Sequence, residues 1–285
     1  MTSDLHDPGL TRTRSRVPKL IVSDLDGTFL SPDGTVSPTN SAAVRAAEAA
    51  GVPVVFATGR PVRWLDVIRG LPGAHPVVIA SNGAVLFDLG EARLLDRICL
   101  DPGVVLQAVS AIRRTVPGAA FGFESGTRFG YESTYRLGVD DDGHNPALER
   151  GCAEALARRG DSVKMLVQHL HVSSDQLLEQ VREAVADALT VTHSAGHAHG
   201  LVEVSAPGVS KAAMLQRICA GLGLKAADVA AFGDMPNDLE MLNWVGMPHV
   251  MANAHPQLLS LGFTVVPGNG DSGVGHTISQ WMQGH

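Results

Sequence analysis

Short apolar runs and helical spacings alternate along the first third of the chain. Residues 20–22 read Leu-Ile-Val, residues 52–57 Val-Pro-Val-Val-Phe-Ala, and residues 76–80 Pro-Val-Val-Ile-Ala. Each run is short and bounded by proline, glycine or polar residues, which predicts buried strands of a parallel sheet. Helices are predicted between them. Ser37-Pro38 offers an N-cap and a first-turn proline to an alanine-rich stretch that stops at Gly51. Pro61 opens a second helix, with Val62, Leu65 and Ile68 on one face. Strand, helix, strand, helix, strand implies an α/β fold built on a doubly wound parallel sheet.

From residue 84 the pattern changes. Residues 84–87 and 92–98 read as a hairpin around Asp88-Leu89-Gly90, and 104–114 as a helix. Residues 121–135 alternate loosely, 164–167 suit a strand, 176–189 a helix, and 190–193 and 201–204 further strands. Mixed elements without a consistent crossover predict a separate α+β unit inserted into the first. The first pattern returns at Ser210, which can cap a helix to residue 220. A strand at 229–232, a short helix at 239–244 and strands at 250–251 and 263–266 complete it, with a helix opening at 253–256. The expected division is a tail at 1–17 without fixed structure, a core of 18–87 and 201–285, and an inserted unit of 88–200.

Composition narrows the partners. The 285 residues carry a formal net charge of −7, with no basic stripe and no basic-aromatic interleaving, so nothing suggests a nucleic-acid surface. No apolar run is long enough to span a bilayer. The first 17 residues hold Arg12, Arg14 and Arg16 but lack the apolar segment of a secretory signal. Cys99, Cys152 and Cys219 are scattered and odd in number, which fits reduced thiols in a cytoplasmic protein. A monomer and a homodimer are both compatible with the sequence.

The chemistry concentrates at predicted strand ends. Asp24 and Asp26 follow the first strand, Thr58 and Gly59 the second, Asn82 the third, and Asp234, Asn237 and Asp238 the strand at 229–232; Lys211 opens a helix. Ligands of parallel sheets bind beyond the carboxyl ends of the strands, so these residues can converge. Paired carboxylates there are costly to bury without a cation, and oxygen ligands suit magnesium. An EF-hand calcium loop fails on Phe29 and Thr35, which stand where glycine and glutamate are required. Each residue has a task in phosphoryl transfer, where catalysis is positioning plus charge stabilisation. Asp24 would attack phosphorus; Asp26 would protonate the leaving alcohol and then activate water. Thr58 and nearby backbone N–H groups would hold phosphate oxygens, and Lys211 would offset their charge. Asp234 would complete the metal site, with Asn237 and Asp238 binding or orienting around it.

Together the segments DLDGT (24–28), ATGR (57–60), SNGA (81–84), GVSK (208–211) and GDMPND (233–238) resemble the haloacid dehalogenase superfamily of phosphatases, in its Cof-type sugar-phosphatase branch. MANA (251–254) and DSGV (271–274) add to the likeness. The resemblance implies a Rossmann-like core with an α/β cap that closes over the site and selects substrate. It implies Asp24 as nucleophile and Asp26 as acid/base. Magnesium would lie on Asp24, the backbone carbonyl of Asp26, and Asp234, and phosphate on Thr58 and Lys211. The activity expected is magnesium-dependent hydrolysis of a small phosphorylated metabolite, such as a sugar phosphate, through an aspartyl-phosphate. A phosphosugar mutase and a non-catalytic phospho-ligand sensor are the alternatives.

Weaker features are expected to be structural. His193, His197 and His199 have a spacing that suits zinc, but a solvated loop is the simpler expectation. Asp140, Asp141 and Asp142 before Gly143 read as an exposed turn, and the glycine-rich stretch 268–275 matches no phosphate loop. Glu124, Arg128, Tyr131 and Tyr135 are candidates for facing substrate from the inserted unit.

Overall fold

Leu20, Ile21 and Val22 are fully enclosed in the computed structural model, which describes residues 17–137, 148–193 and 199–283. In chain order the first half contains β1 (Leu20–Ser23), α1 (Pro38–Ala49), β2 (Val54–Ala57), β3 (Ala74–Ala80), β4 (Val85–Asp88) and β5 (Arg93–Arg97). Next come α2 (Pro102–Thr115), β6 (Ala120–Glu124), β7 (Phe129–Tyr131), β8 (Leu148–Arg150), α3 (Ala153–Ala157), β9 (Lys164–His169), α4 (Ser174–Val185), β10 (Thr190–Thr192) and β11 (Gly200–Ser205). The last third holds α5 (Lys211–Leu222), β12 (Val229–Gly233), α6 (Leu239–Trp244), β13 (Met247–Met251), α7 (Pro256–Leu259), β14 (Thr264–Val266) and α8 (Gly273–Gln283).

The first sheet has the order β14-β13-β12-β1-β2-β3-β4-β5. It is parallel from β14 to β3, and β4 and β5 add an antiparallel hairpin at one edge. Successive β1 side chains serve opposite faces. Ile21 packs with Ala43 and Val44 of α1 and with Val274 and Ile278 of α8. Leu20 and Val22 pack with Met214 and Leu215 of α5 and with Met241 and Leu242 of α6. Helices on both faces make the sheet doubly wound. The chain leaves β1 toward β2 on one side and toward β12 on the other, so a crevice opens at their carboxyl ends.

The second sheet has the order β10-β11-β9-β6-β7-β8, with α2 and α4 packed together on one face. Its helices begin as their sequences demand. Asp101 caps α2 by accepting from Val104 N, and Ser173 and Gln176 form a capping box at α4.

Two expectations need correction, and α8 was not expected. The helix predicted after Pro61 is two tight single turns, Val62–Trp64 and Asp66–Ile68. The spacing of Val62, Leu65 and Ile68 is three throughout, which suits i→i+3 turns better than an α-helix. The stretch 268–275 leads into α8, whose glycine-rich start hid it; Gly275 N donates to Asn40 Oδ1 at 2.8 Å, and Trp281 packs on Phe232 and His249. Finally, the boundaries drawn at 88 and 200 do not follow strand pairing. The β4–β5 hairpin belongs to the first sheet, because β4 pairs with β3, and β11 belongs to the second, because it pairs with β9 and β10. The tail at 1–16 and the turn at Asp140–Asp142 lie outside the described residues.

Candidate active site

The site begins where β1 and β12 end. Asp24 N donates to Phe232 O at 3.1 Å, so the two strands leave the sheet side by side. The chain then turns sharply through Gly27, at φ +73°. A Cβ at residue 27 would collide with the Asp234 carboxylate, so only glycine allows the approach. Thr28 Oγ1 donates to Asp234 Oδ1 at 2.7 Å and fixes that carboxylate from the Asp24 side. Asn253 Nδ2 donates to Gly27 O at 2.8 Å and ties the turn to the segment after β13.

Lys211, the first residue of α5 after the Ser210 cap, points into this corner and is buried. Its Nζ donates to Asp24 Oδ1 and to Asp238 Oδ1, both at 2.7 Å. Asp238 Oδ2 accepts from the N–H groups of Asp234 and Met235, each at 3.1 Å. Both Asp238 oxygens are therefore held by protein. Asp24 Oδ2 and Asp234 Oδ2 make no hydrogen bond among the described residues.

Three buried carboxylates thus surround one ammonium. One oxygen from each of Asp24, Asp234 and Asp238 lies within 4.8 Å of the others. Burial and the neighbouring carboxylates show in the titration of Asp24 and Asp234. Burial pushes the Asp24 carboxyl well above the usual range; Lys211 pulls it back, while Asp238 and Asp234 add to the rise. Burial, then Asp238, raises Asp234 to about 7 against the bond from Thr28. Burial alone would lower Lys211, yet Asp238 and Asp24 together hold it above the ordinary lysine value. A cation would relieve this excess, and an all-oxygen donor set suits a hard divalent ion such as magnesium. The residues present therefore fit that group.

The neighbouring strand ends bring in the other predicted residues. Ser23 pairs in register with Phe56, which sets Thr58 just beyond the strand position beside Asp24. Thr58 is buried, and its Oγ1 accepts from Arg60 N at 3.0 Å. Asn82 N donates to Thr58 O at 2.9 Å, and Asn237 Nδ2 donates to Asn82 Oδ1 at 3.1 Å. Gly59 lies against the same Asn82 oxygen, which is 3.1 Å from where a Cβ at residue 59 would stand.

Asp26 stands apart from the acid cluster. Its side chain is 57% exposed, and Arg60 clamps it with Nε on Oδ2 at 2.8 Å and a terminal nitrogen on Oδ1 at 2.6 Å. Of the four candidates on the inserted unit, Glu124 meets the core, pairing with Arg63. Arg128 pairs with Asp161, and Tyr131 and Tyr135 pack on Phe129. His193 is buried with Nε2 3.0 Å from Asp175 Oδ1; His197 lies outside the described residues. Among the described residues the acid cluster is the one group with the reach to hold a metal.

Sequence reasoning missed several partners. Thr28 lies inside the DLDGT segment and was open to it. The links from Lys164 and Glu203 to Gly59 and Asn82 come from remote strands and were not.

Comparison with known proteins gives the family and the fold. The profile of the family described as haloacid dehalogenase-like hydrolase matches residues 21–278. The phosphoglycolate phosphatase of Methanothermobacter thermautotrophicus is 25% identical over 264 residues, covering 93% of this chain and 99% of its own length. The HMP-PP phosphatase of Cronobacter sakazakii is 28% identical over 268 residues, covering 91% and 94%. A solved sugar phosphatase of haloacid dehalogenase subclass IIB superposes with a TM-score of 0.76 at 20% identity, covering 92% and 98%. That similarity carries the fold, core and cap alike. No helix among the described residues is long and apolar enough to cross a membrane.

Proposed function

Because this chain belongs to the haloacid dehalogenase-like hydrolases, we propose that it is a magnesium-dependent phosphomonoesterase of small phosphorylated metabolites. The observation that carries the reading is the buried excess of carboxylate around Lys211, formed by Asp24, Asp234 and Asp238. A structural ion cluster would match carboxylates with cations; this one has three carboxylates to one ammonium, beside an open carboxylate oxygen at a strand end.

In this reading Asp24 attacks phosphorus through Oδ2 while Lys211 holds Oδ1. An aspartyl-phosphate forms as the leaving alcohol departs with a proton from Asp26. Asp26 then takes a proton from the water that hydrolyses the acyl-phosphate. Thr58 and the N–H groups of its turn grip the phosphoryl oxygens, and the Lys211 ammonium offsets their charge. Asp24, Asp234 and the backbone carbonyl of Asp26 would hold magnesium, which would keep both carboxylates ionised and draw charge from the phosphoryl oxygens. Asp238, with both oxygens engaged, serves to orient Lys211 and the loop from Asp234 to Asp238 rather than to ligate.

The leaving group is read by the inserted unit. The relatives named above carry different substrates in their names while sharing the architecture, which suits a common core under a variable cap. A sugar phosphate is the substrate class we favour, in a cytoplasmic setting that keeps the free cysteines reduced.

The test is hydrolysis of 4-nitrophenyl phosphate and of a hexose phosphate panel, with and without magnesium. The expected result is steady release of inorganic phosphate only with metal, and a loss of about 10⁴-fold or more in Asp24→Asn. No hydrolysis with metal present would turn the reading toward a phospho-ligand sensor. Sugar phosphate isomerised without phosphate release would turn it toward a mutase.

A further inference from the structure

The second sheet presents one face to its helices and the other toward the core. Phe121 and Phe123 of β6, Met165 and Val167 of β9, and Val202 and Val204 of β11 are buried with α2 and α4. Alternation sends Glu124, Lys164 and Glu203 to the opposite face. Glu124 pairs in register with Lys164, while Glu203 stands opposite Leu166 and so lies diagonally from Lys164. A charged end of an open sheet face would ordinarily be solvated. Here all three residues are buried, because the core covers them.

The contacts they make are specific. Lys164 Nζ donates to Glu203 Oε1 and to the Gly59 carbonyl oxygen, both at 2.8 Å. Glu203 Oε2 accepts from Asn82 Nδ2. One ion pair of the second sheet therefore has each end in a different turn of the core. Those turns are joined to one another: Ser81 N donates to Arg60 O at 3.0 Å and Asn82 N to Thr58 O at 2.9 Å. With Nδ2 drawn to Glu203, the Asn82 amide must face its Oδ1 toward Asn237, which lies three residues after Asp234. Orientation thus passes from Glu203 through Asn82 to the loop that carries Asp234, and from Lys164 through Gly59 to the turn that carries Thr58.

A buried ion pair adds little stability over apolar residues of like volume. An apolar pair, however, offers no donor to a carbonyl and no acceptor to an amide. We propose that Lys164 and Glu203 are positioning residues: docking of the second sheet fixes the Gly59 carbonyl and the Asn82 amide, and so assembles the phosphate grip and the metal loop together. The proposal rests on the reading of those two segments given above. Its consequence is that phosphate affinity of the core depends on a residue pair that never touches phosphate.

The test replaces the pair in the full-length protein by Lys164→Met with Glu203→Leu, which leaves the interface buried and neutral. With 4-nitrophenyl phosphate as substrate, the inhibition constant of inorganic phosphate is expected to rise at least tenfold. Deuterium uptake in peptides covering 57–60 and 80–84 is expected to quicken, with β1 peptides and the unfolding midpoint unchanged. Lys164→Arg, which keeps both donations, is expected to stay within threefold of the parent. A folded double variant with unaltered phosphate inhibition overturns the proposal. So does a defect confined to KM for bulky esters, which would make the pair a substrate contact. If the double variant does not fold, Glu203→Gln decides, since its single amide oxygen can accept from Lys164 or from Asn82 but not from both: a rise of threefold or more in the inhibition constant supports the clamp, and no change overturns it. A parent protein that hydrolyses no phosphate ester with magnesium condemns the phosphatase reading alone, because the exchange measurement still judges the clamp.

Discussion

The molecule holds two buried collections of charge, and they are built on opposite principles. At the end of β1, Asp24, Asp234 and Asp238 face one ammonium, that of Lys211. Where the second sheet meets the core, charges come in matched pairs: Lys164 with Glu203, and Arg63 with Glu124. The first collection has three carboxylates to one ammonium, and burial together with the neighbouring carboxylates raises the pKa values of Asp24 and Asp234. The second is balanced in charge. In the reading proposed above, imbalance marks the place where chemistry is done, and balance the place where geometry is held. Both are buried to a similar degree, so burial alone would not tell them apart.

Removing the single cation of the unbalanced site should produce the largest effect. Lys211→Met leaves three carboxylates enclosed without a counter-charge. A loss of about 3–5 kcal/mol of unfolding free energy is expected, as for other buried pairs stripped of one partner. Urea unfolding measures it, and magnesium should return a substantial part of the loss, since a bound dication stabilises by mass action. The balanced site should behave differently: magnesium should stabilise Arg63→Met only as much as it stabilises the parent, because the acid cluster is intact in both. Equal recovery in both variants would erase the distinction between the two sites.

Acidity gives a second, smaller contrast. The folded-state pKa of Asp234 is raised from 3.8 to about 7. The native metal-free protein therefore binds this proton more tightly than the unfolded chain does. The stability it contributes is full below about 3.8 and is lost as pH climbs toward 7. Metal binding must displace the same proton, so magnesium affinity should fall by at least about tenfold for each pH unit below that value, and more steeply where the Asp24 proton must leave as well. Titration calorimetry in buffers of different ionisation enthalpy reads both the affinity and the proton released. Proton release near zero at pH 6 would show that Asp234 is already ionised and that the imbalance is relieved in some other way.

The two collections also differ in how far the sequence reveals them. Asp24, Thr58, Asn82 and Asp234 each follow a short apolar run, and a parallel sheet can place such ends only on one side. Pattern and topology therefore suffice to gather them. Lys211 was visible as the first residue after a helix cap. The environment of Asp26 was not, because nothing in Asp26 or Arg60 says that their side chains will meet. Lys164 and Glu203 were less visible still. Alternation along β9 and β11 assigns them to an open face, but no local rule tells whether water or a distant turn will cover it. The tight turns after Pro61 and the start of α8 escaped for a related reason. A spacing of three and a glycine-rich opening are weak signals, and packing decided both.

The smallest effect belongs to a pair that is balanced but not enclosed. Arg60 and Asp26 form a two-pronged bridge, yet the Asp26 side chain is 57% exposed and that of Arg60 23%. Water competes for both groups, so the bridge should contribute no more than about 1 kcal/mol. Arg60→Gln should therefore unfold within about that margin of the parent, far from the loss expected at Lys211. Its effect on turnover should exceed its effect on stability, because Asp26 loses the group that aims its carboxylate while Thr58 keeps its place through Ile79 and Asn82. A lower kcat with phosphate inhibition unchanged would place Arg60 with the proton transfer. A weakened phosphate inhibition instead would place it with the grip, and would join this exposed pair to the clamp formed by Lys164 and Glu203.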